Sequence, residues 1–141
     1  MKVKYLVAAT ALILASAPVY AGQYLEVAVE VDTVAMSASG SMSTARFSDN
    51  EIEFIGCGTT VFLNPDGSTY NFGFCQAATT DNVRGFCNSD NPGIVAQMGE
   101  ASAYSYLSFN WDVDGICTRV KHSTQSFYIP EHLDGNPGRG H

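Results

Sequence analysis

Tyr104-Ser105-Tyr106-Leu107-Ser108-Phe109-Asn110-Trp111-Asp112-Val113-Asp114-Gly115-Ile116-Cys117-Thr118-Arg119-Val120-Lys121-His122-Ser123 reads as two strands around one tight turn. Asp114-Gly115 is a preferred two-residue loop, because both positions of a type I′ turn need φ > 0. That loop sets Val113 against Ile116, Trp111 against Thr118 and Phe109 against Val120. These six residues then share one face with Leu107. Tyr104, Tyr106, Asn110, Asp112, Arg119 and Lys121 fall on the other. A three-residue loop would set Leu107 against Lys121 and mix the faces, so the pattern favours the shorter turn. Cys117 is then expected to face away from Trp111.

Upstream, the pattern stays β-like. Leu25, Val27, Val29 and Val31 alternate with Glu26, Ala28, Glu30 and Asp32, which predicts a half-buried strand over 24–32. Ser37–Ser43 is small and polar and reads as a loop or weak edge strand; 42–47 reads as a further strand. Glu51–Leu63 and Thr69–Thr79 read as strands on either side of the Asn64-Pro65-Asp66-Gly67 turn. Residues 83–88 form another. Gly56 and Gly58 flank Cys57 and point to a bulge or a close backbone approach. Asn91-Pro92 offers an N-cap and a proline at the first helical position. Ile94, Val95, Met98 and Ala101 follow at helical spacing, predicting about three turns.

The expected fold is therefore mainly β with some α (α+β). It is an antiparallel sheet, or a small barrel or sandwich, with one short helix and two disulfides. The expected organisation is a signal peptide at 1–21, one disulfide-bonded β-rich domain at 22–130, and a flexible C-terminal tail at 131–141.

The signal reading rests on Lys2 and Lys4, the uncharged run Tyr5–Ala15, and small residues in Val19-Tyr20-Ala21. The apolar run is roughly half the ~20 residues of a membrane span. It places the mature chain in the periplasm or outside the cell, with no membrane insertion after cleavage. Lys2 and Lys4 are two of seven basic residues, so cleavage leaves five against fourteen acidic ones. Such a chain repels phosphate backbones, which excludes nucleic acid as a partner and disfavours anionic membranes.

Cys57, Cys75, Cys87 and Cys117 are even in number and lie in the mature part. In an oxidising compartment they predict two disulfides, and three connectivities exist. Cys75 and Cys87 are symmetric about Asp81, while Cys57 and Cys75 are symmetric about the 64–67 turn. Cys75–Cys87 with Cys57–Cys117 is favoured slightly, because the second bridge closes a long loop. Cys57–Cys75 with Cys87–Cys117 is the close alternative. The gaps are too long for close-paired zinc ligands, so no metal site and no cofactor are expected.

Candidate chemistry is sparse. Asp112-x-Asp114-Gly115 and Asn64/Asp66 each resemble the opening of a calcium loop but lack its remaining ligands, so hairpin turns are expected. Glu51 and Glu53 fit a solvated strand face. His122 has Ser123 and Ser126 nearby but no nucleophile elbow. No catalytic residue is assigned. Tyr104, Tyr106 and Tyr128 are the candidate binding face, for an unknown protein or a carbohydrate.

From Ile55 to Pro130 the chain resembles small exported bacterial proteins of unknown role. The shared elements are Ile55-Gly56-Cys57, Cys75, Cys87, the Pro92–Ala101 segment, Ser105–Asp112, Gly115-Ile116-Cys117-Thr118 and Tyr128-Ile129-Pro130. The resemblance implies an exported, disulfide-bonded domain and attaches no activity. The expected function is a non-enzymatic envelope or secreted protein that binds a partner or assembles with itself. The alternative is a small hydrolase, or an inhibitor of one, acting on extracellular polymer.

Overall fold

Seven strands form two antiparallel sheets in the computed structural model, which describes residues 22–130. The expected signal peptide and C-terminal tail lie outside the described residues. The first sheet has the order β1 (Glu30–Asp32), β2 (Ser37–Ser41), β6 (Tyr106–Trp111) and β7 (Cys117–Ser123). The second is β3 (Phe54–Leu63), β4 (Thr69–Ala78) and β5 (Arg84–Ser89). The sheets are open, so the architecture is a sheet packed on a sheet and not a closed barrel.

The helix α2 (Pro92–Gly99) starts where the sequence places it. Asn91 caps it, its Oδ1 accepting from the N–H groups of Gly93 and Ile94 at 3.0 and 3.2 Å. It is two turns long and not three, ending just before Glu100. Val95 and Met98 are its buried residues.

The β6–β7 hairpin keeps Leu107, Phe109, Trp111 and Val120 on the inward side by an unexpected route, but Val113, Ile116 and Thr118, expected on the same face, are exposed. Asp112 N–H donates to the Ile116 carbonyl, and Gly115 N–H to that of Asp112. Gly115 has φ +76°, so this is a three-residue loop with glycine in the left-handed region. A bulge between Asn110 and Trp111 then restores the register, and Phe109 faces Val120 while Leu107 faces His122. The extra residue falls next to Cys117, which now pairs with Trp111 and turns into the core instead of away from it.

The amino-terminal half departs further from expectation. Residues 24–29 do not join a ladder. They cross the small residues of β2, with Ser41 N–H donating to the Val27 carbonyl and Leu25 N–H to that of Phe127. A Cβ at Gly40 would stand 2.9 Å from Val29 Cα, so this crossing requires glycine. β2 is an inner strand between β1 and β6, not an edge. Met42–Phe47 is the short helix α1 and not a strand, because Ser41 caps it by accepting from Thr44 N–H. Ser41, Ser43 and Ser105 are buried. Ser43 Oγ lies 2.8 Å from Ser41 Oγ and donates to the Tyr128 carbonyl at 2.7 Å, which offsets the cost of burying hydroxyls.

The disulfides are Cys57–Cys75 and Cys87–Cys117, which overturns the favoured pairing. Cys75 does lie opposite both Cys57 and Cys87. The choice is made by Cys117. An Asn88–Ile116 bridge brings β5 against the start of β7. Cys57, on the far strand of that sheet, is two strand spacings from Cys87, roughly 10 Å. Cys117 therefore reaches Cys87, leaving Cys57 for Cys75. Geometry of the folded state outweighs the loop-length preference.

Candidate functional site

The second sheet is patterned inside out. Its covered face carries small side chains: Gly73, Cys75, Ala77, Gly85 and Cys87 are all buried. Large groups from elsewhere pack onto them. A Cβ at Gly73 would run into Met98 of α2, and one at Gly85 would meet the Trp111 ring at 2.9 Å. The strand register sends Phe54, Phe62, Tyr70, Phe72, Phe74 and Phe86 to the opposite, outer face.

Four of these six rings form two stacked pairs. Phe62 stacks on Tyr70 with centroids 6.1 Å apart, and Phe74 on Phe86 at 6.3 Å. The Phe74 ring also covers Gly58, where a Cβ would come within 2.9 Å of it. Arg84 caps one end, its guanidinium 5.9 Å from the Phe54 ring centroid. Phe62, Tyr70 and Phe86 are each about half exposed, at 52%, 45% and 52%. Between Phe54 and Thr80 the only charged residue is Asp66 at the hairpin tip, in a chain of formal net charge −7.

The tip extends beyond the body of the molecule, with residues 59–71 exposed on both faces. It is held by the same turn as the β6–β7 hairpin. Asn64 N–H donates to the Ser68 carbonyl, Gly67 N–H donates to that of Asn64, and Gly67 has φ +84°. Asp66 accepts from Ser68 Oγ and N–H, which holds its carboxyl below the usual carboxylate range. Asp112 likewise accepts from Asp114 and Ile116 N–H groups. Both carboxylates serve their turns, as expected of hairpins. Among the described residues no group of three or more His, Cys, Asp or Glu is placed to hold a metal ion.

The tyrosines named from sequence sit elsewhere, Tyr106 on the first sheet, Tyr104 in the turn before it and Tyr128 in a 3-10 turn near the carboxy-terminal end of the described residues. Tyr106 stacks on Tyr128 with centroids 5.4 Å apart, and Phe127 meets Tyr128 edge-on at 4.5 Å. Tyr128 is buried, Tyr106 and Tyr104 half-buried. Burial, then the neighbouring Tyr106, pushes the Tyr128 phenol above its ordinary range. The structure thus brings Tyr106 and Tyr128 together as packing partners. The four cysteines are all bonded.

A cleft of about 520 Å³ lies between α1 and the start of β3, lined by Met42, Ala45, Arg46, Asn50, Glu51, Glu53, Phe54, Ile55 and Ala103. Glu53 is engaged there. Its Oε1 accepts from Val29 N–H at 2.7 Å and its Oε2 from Asn50 Nδ2 at 3.2 Å. Glu51 is exposed. The pair precedes β3 in a bend and does not lie on a strand face. His122 Nδ1 is 2.7 Å from Gln97 Nε2, linking β7 to α2.

The aromatic face has a sequence signal in retrospect. Phe72-Gly73-Phe74-Cys75 alternates large and small, as a strand does when only one of its faces has room. The two disulfides are of the kind kept in oxidising compartments outside the cytoplasm. No described helix is long and apolar enough to cross a membrane. No protein-family model, curated protein or solved structure matches the chain.

Proposed function

We propose that this chain is an exported, non-enzymatic protein that works by associating with copies of itself through the β3–β4 hairpin. The amino-terminal stretch 1–21, with its basic start, apolar run and small residues before Gly22, supports export to the periplasm or the medium. The two disulfides support an oxidising destination.

The observation that carries the reading is the inside-out second sheet. A monomer gains nothing from leaving Phe62, Tyr70 and Phe86 about half exposed, with Phe54, Phe72 and Phe74 partly so, while its covered face holds mostly glycine, alanine and cysteine; exposed apolar patches of this kind mark contact surfaces. Charge selects the occupant. Mature chains bearing fourteen acidic residues against five basic ones repel each other over most of their surface. The segment 54–80 carries one charge, so two copies meet there at the least electrostatic cost. The charged groups of this face are Asp66 at the tip and Arg84 at the far end, too few and too far apart to hold a charged polymer.

Sedimentation velocity on protein recovered from the medium or envelope tests this. The expected result is a sedimentation coefficient that rises from the monomer value between low micromolar and near-millimolar concentration. A monomer throughout, or a monomer that binds neutral polysaccharide instead, overturns it.

A further inference from the structure

The outer edge of β3 carries this association one step further, and the step rests on the self-association reading above. Asn64 and Ser68 form a hydrogen-bonded pair at the hairpin end. Bonded and non-bonded pairs alternate along an antiparallel ladder. Leu63, Val61, Thr59 and Cys57 therefore occupy non-bonded positions toward β4, and the 4.0 Å Cα separation of Cys57 and Cys75 agrees. At Thr59, Val61 and Leu63 the backbone N–H and C=O groups consequently point away from the sheet. None of the described hydrogen bonds takes them.

The other sheet edges are protected. β1 is three residues long and carries Glu30 and Asp32. β5 is engaged by Asn88 N–H donating to the Gly115 carbonyl. β7 carries Arg119 and Lys121 and is tied to α2 through His122. Short strands, charges and covering elements are the usual defences of a sheet edge; Thr60–Leu63 has none, and at Thr59 only the side chain nears α2, where a Cβ at Gly99 would stand 3.7 Å from its Oγ1. Its sequence, Thr-Thr-Val-Phe-Leu, is uncharged, proline-free and rich in β-formers. Val61 and Leu63 are 64% and 74% exposed.

We infer that two copies pair their β3 edges antiparallel across a two-fold axis at Val61, joining two three-stranded sheets into one of six strands. This register sets Val61 against Val61 of the second copy and Thr59 against Leu63 of the second copy. All three outward-facing positions then become hydrogen-bonded pairs. The pairing is isologous and closes on itself, so it gives a dimer and not a filament. No charge faces another across the axis. On the outer face, Thr60 and Phe62 of each copy meet, and the two aromatic surfaces become one.

Amide hydrogen exchange followed by NMR against protein concentration tests this. The Thr59, Val61 and Leu63 amides point out of the monomer and exchange fast when dilute. Where about nine-tenths of chains are paired, they should slow about tenfold. Thr60 and Phe62, bonded to β4, should be protected at every concentration and report that the hairpin is folded. Val61→Lys, which puts like charges opposite each other, should abolish the concentration dependence while Thr60 and Phe62 stay protected; Val61→Thr should retain it. Self-association without slowing at the three outward amides overturns the edge pairing and leaves the broader reading standing. Slow exchange of these amides in a dilute monomer, relieved by deleting residues 131–141, overturns the second copy as occupant in favour of the chain's own tail. A monomer at all concentrations overturns both readings.

Discussion

Cys87 of β5 and Cys117 of β7 stand with their Cα atoms 5.0 Å apart and form the bond that joins the two sheets. The other bond, Cys57–Cys75, lies within one hairpin. The sequence separations are 30 and 18 residues. Chain entropy alone assigns each roughly 3–4 kcal/mol, the longer loop being the larger. The double variant Cys87→Ser/Cys117→Ser should lose about that much stability in urea unfolding, and more than Cys57→Ser/Cys75→Ser. The reverse order would mean that the sheets are held together chiefly by packing.

Two glycines make a controlled pair. A Cβ at Gly40 meets Val29 Cα and the Ala28 carbonyl, backbone atoms that cannot swing aside. Gly40→Ala should cost about 1–3 kcal/mol, as overpacking does. Gly56→Ala places its methyl in open space on the aromatic face and should change stability by less than about 0.5 kcal/mol. Denaturant midpoints of the two variants check this, and equal losses would contradict the crossing of residues 24–29 over β2.

Glu53 and Glu51 separate a structural carboxylate from a solvated one. Glu53 accepts from the Val29 backbone N–H, so Glu53→Ala leaves that half-buried donor unpaired and should cost about 1.5–3 kcal/mol. Glu51→Ala should fall within about 0.5 kcal/mol of the parent. Thermal unfolding of both at neutral pH is sufficient.

Tyr128 should titrate late. Its phenol is held protonated by burial and by Tyr106 beside it. Its folded pKa exceeds its unfolded one, so the unfolded chain releases this proton first as pH rises. The associated stability is complete below about pH 10 and declines above it, toward the folded pKa. Ultraviolet titration should show a late phenolate component that Tyr128→Phe removes.

Much of this fold is legible in sequence because local chemistry decides it. The Asn91-Pro92 cap and the Asn64–Gly67 turn are settled by side chains within four residues of each other. In β6–β7 the inward Leu107, Phe109 and Val120 are legible as well, because a bulge and a longer loop together imitate the register of the shorter turn there, whereas nearer the loop Cys117 and not Thr118 turns inward. The misread elements depend on contacts distant in sequence. Met42–Phe47 becomes a helix because Ser41 caps it and Ser43 anchors to Tyr128, 85 residues away. The seryl strand β2 becomes internal because residues 27–29 need its lack of bulk. The tyrosines drew the site reading because exposed tyrosine is a familiar contact residue. The phenylalanines of β3–β5 carry no such signal in sequence, and only the placement of α2 and Trp111 on the glycine face turns them outward.

The two disulfides form a frame that fastens β3 to β4 and the two sheets at β5, leaving the outer edge of β3 open. Trypsin reads it directly, since Arg46, Arg84 and Arg119 place Cys57 with Cys75 in one fragment and Cys87 with Cys117 in the next. Non-reducing mass spectrometry should find fragments 47–84 and 85–119 separate, each lighter by two hydrogens than its reduced form. Finding the two fragments joined would contradict the frame, because a bond from Cys57 to Cys117 would draw β3 against the first sheet and cover the edge through which the copies meet.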